Sequence, residues 1–141
     1  IVTSTGNFSK EEIAIAIELA QECLDKGAEE SGYHFVFGEL DGKVVTYTCY
    51  GPIPATKGSI DLYWIATEQS LRGKGLGKLI LRETERVIKS VGGERIWVET
   101  SSRDDYIGTR QFYLNTGYTV AAILEDFYSK GDSKYIFVGK V

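Results

Sequence analysis

The sequence predicts one domain, spanning residues 1–141, of the α+β or mixed α/β class. A chain of 141 residues that is 43% hydrophobic is large enough for a single well-buried core. It contains no internal repeat, low-complexity tract or interdomain linker. Residue patterns along it follow the order helix, three strands, helix, strand, helix, two strands. Hairpins combined with a strand-helix-strand crossover are typical of this class.

The first predicted element is a helix over residues 10–26. Ser9 can cap its first turn and Glu12 follows three residues later, which is the pattern of a capping box. Gly27 ends the run. Between these signals apolar residues recur at helical spacing: Ile13, Ala16, Ile17, Ala20 and Leu24.

Three strands are predicted next. "YHFVFGEL" and "KVVTYTCY" are rich in aromatic and β-branched residues, and Asp41-Gly42 between them is typical of a tight hairpin turn. A loop with both prolines, "GPIPATKGS", follows. "IDLYWIAT" has β-forming residues on both faces and therefore predicts a buried central strand.

The second half of the chain predicts two helices and three strands. "RIWVET" reads as a strand, "GTRQFYLNTG" as a short helix ending at Gly117, and "YTVAAILEDFY" with "KYIFVGK" as a hairpin around "SKGD". A longer helix precedes them and stops at Gly92-Gly93. Its apolar residues at helical spacing are Leu76, Leu79, Ile80, Val87, Ile88 and Val91.

Composition excludes several function classes. The 16 basic and 20 acidic residues give a net charge of -4, and the basic ones are scattered except around 72–78, so we expect no nucleic-acid partner. No apolar run is long enough to span a membrane and no signal peptide is visible, so we expect a cytoplasmic protein with no membrane partner. Cys23 and Cys49 lack metal-ligand spacing and His34 stands alone, so no metal is expected.

The segment "RGKGLGK" is similar to three kinds of phosphate loop. A Walker loop fails because Lys78 is followed by Leu79, and the dinucleotide pattern fails because its third glycine would fall at Lys78. The pattern R-x-x-G-x-G fits from Arg72 to Gly77. Glycines between a strand and a helix let backbone N–H groups point together at one anion, so the segment predicts a pyrophosphate cradle. A glycine-rich turn with solvating lysines is the alternative.

Three segments together resemble the GNAT superfamily of N-acetyltransferases. "DLYWIATEQSLRGKGLGKLIL" resembles the acetyl-CoA-binding segment, "TRQFYLNTGY" the helix with a Phe-Tyr pair ahead of a Gly-aromatic pair, and "EDFYSKGDSKYIFVGK" the closing hairpin of many bacterial members. The resemblance covers about residues 35–141 and implies a mixed, mostly antiparallel central sheet flanked by helices. Tyr106 and Thr109 depart from the Asn and Ala of many members, so contacts made there are not carried over.

The beginning of the chain also departs from the family. Members usually begin with a strand before the first helix, and this chain starts at Ile1 and contains no methionine. We therefore expect that an N-terminal strand is missing.

The resemblance implies how acetyl-CoA is bound. Backbone groups of the central strand, at Ile65, Ala66 and Thr67, would hydrogen-bond the pantetheine arm. The pyrophosphate would be taken by the following loop and helix start, which comprise Arg72, Gly73, Lys74, Gly75, Leu76, Gly77 and Lys78. Acetyl-CoA is thus the expected co-substrate.

Two side chains are candidates for the chemistry. Tyr113 matches the tyrosine that protonates the leaving thiolate in many members, and a packed aromatic is the alternative. Asp61 lies where many members carry an acidic residue, and it could accept the amine proton through water, orient a cationic substrate together with Tyr63, or form an ion pair. Glu68 and Glu99 are lesser candidates, for which a solvated surface position is the favoured interpretation.

The expected function is transfer of an acetyl group from acetyl-CoA to a primary amine of a small molecule or peptide. Direct transfer in a ternary complex is expected because neither cysteine has an identifiable basic partner. The alternative is a non-catalytic CoA-binding sensor or interaction module of the same fold. The acceptor amine is not specified by the sequence, and a homodimer is compatible with it.

Overall fold

A computed structural model of the protein describes residues 32–40 and 43–141. The predicted helix over 10–26, the Asp41-Gly42 turn and the expectation of a missing N-terminal strand all lie outside these residues. The described elements are β1 (His34–Leu40), β2 (Lys43–Pro52), β3 (Ser59–Thr67), α1 (Leu76–Ser90), β4 (Arg95–Ser101), α2 (Ile107–Asn115), β5 (Thr119–Ser129) and β6 (Asp132–Lys140). No helix in this part of the chain is long and apolar enough to cross a membrane.

The strands form one six-stranded sheet in the order β1-β2-β3-β4-β6-β5. β3 and β4 pair in parallel, and every other neighbouring pair is antiparallel. A parallel pair needs a crossover connection, which α1 supplies. The mixed, mostly antiparallel sheet flanked by helices is therefore confirmed, and β3 is a central strand.

One face of the sheet carries the core under α1 and α2. Leu81 and Ile88 on α1 are fully buried in one core cluster with Ile96 of β4 and Phe137 of β6. Thr48 of β2 hydrogen-bonds Thr84 of α1 with 2.7 Å between the two hydroxyl oxygens, which marks the face of β2 that lies toward the helix.

The buried side of α1 differs in part from the apolar pattern. Leu79 and Val91 belong to that pattern but are 66% and 74% exposed, whereas Leu81 is buried. The helix buries the stripe Ile80, Leu81, Thr84 and Ile88, in which a threonine takes part because its hydroxyl is hydrogen-bonded to β2 and to its own helix.

A bulge in β3 opens the middle of the sheet. Cys49 of β2 lies opposite Trp64 and the next residue, Tyr50, lies opposite Leu62, so Tyr63 is an extra residue in β3. Pairing between β3 and β4 ends at Leu62 and Val98. Both strands continue beyond that pair, to Thr67 and Ser101, without pairing to each other. A wedge-shaped gap therefore forms in the centre of the sheet.

Candidate active site

Two adjoining cavities occupy the gap and its surroundings. One, of about 610 Å³, lies among the end of β3, the loop before α1, and α2; we term it the loop cavity. The other, of about 440 Å³, lies between the diverging parts of β3 and β4 and is termed the wedge cavity. Ile65, Thr109 and Tyr113 line both. A long ligand could therefore reach from the loop to the centre of the sheet.

The start of α1 faces the loop cavity with its backbone exposed. Gly75 is the N-cap residue, with φ at 80°, and no side chain caps the helix. Gly73 is also left-handed, with φ at 78°. Glycine adopts this conformation without the steric cost of a Cβ atom. The first N–H groups of a helix lack intrahelical partners and carry partial positive charge, so this end of α1 favours an anion.

Gly77 is a glycine for a different structural reason than Gly73 and Gly75. A Cβ atom there would lie 3.3 Å from a ring carbon of Phe112 on α2. The absent side chain therefore lets the first turn of α1 approach α2 closely. Phe112 packs against the core and also lines the loop cavity.

The structure brings together eight of the ten residues predicted for the cofactor. Ala66 and Lys74 are the two that do not line the loop cavity. Ala66 is 2% exposed, and its carbonyl accepts a hydrogen bond of 2.9 Å from the Thr46 hydroxyl, so that group is directed toward β2. The eight lining residues are Ile65, Thr67, Arg72, Gly73, Gly75, Leu76, Gly77 and Lys78.

Acidic and aromatic side chains line the wedge cavity. Asp61 is half-buried on β3, and Glu99 on β4 lines the same cavity. Burial raises the pKa of the Asp61 carboxyl, the Glu99 carboxylate raises it further, and Lys134 opposes the rise. Burial and then Asp61 raise the pKa of Tyr63 to about 12. The remaining aromatic residues of the lining are Trp64, Trp97, Tyr106, Tyr113 and Tyr128.

Lys134 on β6 holds the carboxylate of Glu99. Its Nζ lies 3.1 Å from Glu99 Oε2 and 3.8 Å from the centroid of the Phe127 ring. The lysine side chain is only 11% exposed, whereas the Glu99 side chain is 52% exposed. Glu99 therefore forms an ion pair at the edge of the cavity, which is more than the solvated surface position favoured from the sequence.

Tyr113 lies where the two cavities meet. Its ring is packed in the core between those of Phe112, Tyr118 and Phe137, with centroids 5.3 to 5.7 Å apart. Burial raises the pKa of its hydroxyl well above the ordinary value. Tyr113 is thus both a packed aromatic and a protonated hydroxyl beside the cavities.

The hairpin of β5 and β6 is fastened to the end of β4 by polar contacts. Ser101 donates a short hydrogen bond to Asp132, and the Ser133 N–H donates to Ser102 Oγ at 2.8 Å. The Ser102 N–H donates in turn to the Ser133 carbonyl at 2.9 Å. These bonds hold Asp132 at the wedge cavity, which Tyr128 of the same hairpin also lines.

Several lining residues were not identified from the sequence. Trp97, Thr100 and Ser101 lie on β4, and Tyr128 and Asp132 lie on the last hairpin. The alternation of side chains along "RIWVETS" indicates which face of the sheet each β4 residue occupies. It does not indicate that the sheet has a gap beside these residues. In contrast, Glu68, a lesser candidate from the sequence, lines neither cavity in the described structure.

Sequence and structure comparisons define the class of protein. Residues 6–118 match the family model of the GNAT acetyltransferases. The chain therefore belongs to the GNAT acetyltransferase family, and this membership supports an acyltransferase activity. A comparison with curated protein sequences gives no match.

Solved structures include a similar protein from Desulfovibrio desulfuricans, described as an acetyltransferase of the GNAT family. It is 43% identical, with a TM-score of 0.94, and the match covers 99% of this chain and 87% of that one. An aminoglycoside 6'-N-acetyltransferase complexed with coenzyme A is 16% identical, with a TM-score of 0.68 and 94% of each chain covered. A protein from Bacillus anthracis, described as a streptothricin acetyltransferase in complex with acetyl coenzyme A, is 12% identical, with a TM-score of 0.70 and coverage of 78% and 63%. The last two share the fold.

Proposed function

We propose that the protein transfers an acetyl group from acetyl-CoA to a primary amine of a small molecule or peptide. The observation that carries the proposal is the pair of cavities that meet at Tyr113. One has the features of an anion site at a helix N-terminus, and the other has carboxylates and aromatic rings. Membership in the GNAT family and two structural neighbours with bound coenzyme A or acetyl coenzyme A support this assignment.

The loop cavity fits acetyl-CoA. The uncapped start of α1, opened by the left-handed Gly73 and Gly75, offers backbone N–H donors that suit a pyrophosphate. Arg72 and Lys78 line the same cavity and add positive charge. Ile65 and Thr67 lie on the part of β3 that β4 leaves unpaired, where backbone groups can bind a pantetheine amide. When bound, acetyl-CoA supplies the acetyl thioester that an amine attacks.

The wedge cavity suits an amine that arrives as a cation. Asp61, Glu99 and Asp132 contribute carboxylates, and indole and phenol rings attract an ammonium through their faces. In the described structure, Lys134 forms a direct ion pair with one of these carboxylates, that of Glu99, and so neutralises its charge. The acceptor is therefore proposed to combine a cationic nitrogen with an apolar or aromatic body.

Asp61 and Tyr113 have complementary proton roles in this proposal. An ammonium must lose a proton before its nitrogen can attack, and a carboxylate whose pKa is raised is a better acceptor for that proton than an ordinary aspartate. Tyr113 is protonated at neutral pH, as an ordinary tyrosine is, and burial raises its pKa further. Its hydroxyl can therefore donate to the sulfur as negative charge develops there. After release of the products, exchange with solvent restores both groups.

Direct transfer is favoured over an acetylated cysteine. Cys49 is 1% exposed and lines neither of the two cavities. A nucleophilic cysteine needs access to the thioester and a means of forming the thiolate. We therefore assign no covalent step to Cys49.

The test is acetyl-CoA-dependent thiol release with three primary amines: 2-phenylethylamine, spermidine and a peptide with a free N-terminus. Tyr113→Phe is expected to lower kcat by about 10- to 100-fold, as is usual for loss of a general acid. Tyr118→Phe is the matched control, because Tyr118 is also buried in the core but its hydroxyl bonds Glu85 Oε2 at 2.8 Å and lines neither cavity.

The outcomes separate the two hypotheses. Turnover that depends on Tyr113 and not on Tyr118 supports the enzyme. Binding of CoA without turnover on any of the three amines would instead support the non-catalytic CoA-binding module.

A further inference from the structure

Thr100 on β4 carries a buried hydroxyl without a hydrogen-bond partner. The residue is 4% exposed, and Oγ1 is the one buried side-chain polar atom of residues 32–40 and 43–141 in this condition. By contrast, the hydroxyls of Thr48 and Thr84 bond each other at 2.7 Å, and Thr84 also bonds the Ile80 carbonyl. A buried polar group left unpaired is destabilising, so such a group requires an explanation.

The position of Thr100 provides one. It lies two residues beyond Val98, the last residue of β4 that pairs with β3, and therefore shares the helix-facing side of the sheet with Val98. Thr100 lines the wedge cavity together with Tyr113, but it does not line the loop cavity. Thr100 therefore forms part of the wall of the wedge cavity, the compartment proposed for the acceptor.

The chemistry of a hydroxyl suits a nitrogen that is about to react. A carboxylate favours the ammonium form, which has no lone pair for attack, whereas a neutral hydroxyl can accept a hydrogen bond from an amine N–H without favouring the charged form as strongly. A primary amine has two N–H groups and one lone pair. If one N–H is bound by a hydroxyl, the direction of the lone pair is restricted.

We propose that Thr100 is an acceptor-contacting residue whose Oγ1 accepts a hydrogen bond from the attacking primary amine and orients its lone pair. This inference rests on the proposed acetyltransferase function. Asp61 then attracts the cation and receives its proton, while Thr100 positions the neutral nitrogen. Asp61 lies on β3 opposite Trp97, next to the last paired position, and Thr100 lies on the unpaired end of β4.

The test compares Thr100→Val, which is nearly isosteric, with Thr100→Ser, which keeps the hydroxyl. The probe is whichever of the three amines has the highest kcat/KM with the wild-type protein. Thr100→Val is expected to lower kcat/KM for that amine by about tenfold or more, with the KM for acetyl-CoA unchanged. Thr100→Ser should retain most of the activity.

Thermal stability provides an independent readout. Because Thr100→Val removes an unpaired buried hydroxyl, Tm should be unchanged or up to about 5 °C higher. The matched control is Thr84→Val, which loses the hydrogen bonds to Thr48 and Ile80 and should lower Tm while leaving the kinetic constants near those of the wild type.

Each outcome has a separate meaning. Unchanged kcat/KM in Thr100→Val, or a fall in Tm as large as that of Thr84→Val, would overturn the role of Thr100 while leaving an active wild-type enzyme. No transfer by the wild-type protein to any of the three amines would overturn the proposed function and this inference with it.

Discussion

Replacement of Gly75 by glutamate tests the anion site directly. Gly75 has φ at 80°, and no heavy atom lies within 4 Å of the position that a Cβ atom would take. The substitution therefore creates no clash, and its cost to folding is the left-handed strain of about 1–2 kcal/mol. A typical domain has about 5–15 kcal/mol of stability, so the variant should fold.

The effect on ligand binding should be much larger. The new carboxylate would lie at the start of α1, where the pyrophosphate is proposed to bind. Two unit charges about 4 Å apart repel by about 4 kcal/mol at an effective dielectric constant of about 20, which corresponds to roughly a thousandfold loss of affinity. Isothermal titration calorimetry with CoA measures this loss, and urea denaturation measures the strain.

Gly92→Glu is the matched control. Gly92 follows the other end of α1, has φ at 93°, and also has no heavy atom within 4 Å of a Cβ position. It should therefore suffer similar strain and bind CoA normally. A Gly75→Glu protein that is folded and binds CoA within about threefold of the wild type would refute the placement of the pyrophosphate. Equal losses of CoA affinity in both variants would refute the reasoning as well.

Three further predictions concern ionisable groups near the wedge cavity. Asp61→Asn should raise stability toward urea at pH 7, because burial raises the pKa of Asp61 and so disfavours its charged form in the folded protein. This stability difference should vanish below about pH 4, where the wild-type carboxyl is protonated in both the folded and the unfolded protein. The variant should also lose activity, because the amide cannot accept the amine proton. Lys134→Met should move the acid limb of the kcat/KM profile due to Asp61 to higher pH, and Glu99→Gln should move it to lower pH. Burial raises the pKa of Tyr113, so the stability that its protonated hydroxyl contributes is complete below about pH 10 and is lost progressively above it. The free energy of unfolding should therefore fall less steeply above pH 10 in Tyr113→Phe than in the wild type, by about 1.4 kcal/mol per pH unit. An unchanged slope of unfolding free energy against pH would contradict the burial of Tyr113.

The elements and the exposed backbone at the start of α1 could be predicted because their signals are local. Gly92-Gly93 ends α1 in the sequence pattern, and Gly92 is left-handed in the structure. The spacing from Arg72 to Gly77 predicts a backbone arrangement within one loop and one helical turn. These features depend on few distant residues, so the sequence alone describes them well.

The wedge cavity could not be predicted in the same way. Thr100 and Asp132 are separated in sequence, and they line one cavity because β4 pairs with β6 on one side and departs from β3 on the other. Alternation indicates which face of a strand a residue occupies, but it does not indicate where two strands separate. The partner of Glu99 was missed for the same reason, since Lys134 reaches it from β6.

The extra residue Tyr63 connects the two cavities to one feature of the chain. Ile60 and Leu62 lie on the core side of β3, and Asp61 lies on the other side, opposite Gly51. Simple alternation would place Ile65 on the side of Asp61. The bulge reverses the phase, so that Ile65 pairs with Thr48, whose hydroxyl contacts α1, and thus lies on the helix side. One inserted residue therefore allows a single strand to present a carboxylate to the wedge cavity and, a few residues later, to line the loop cavity.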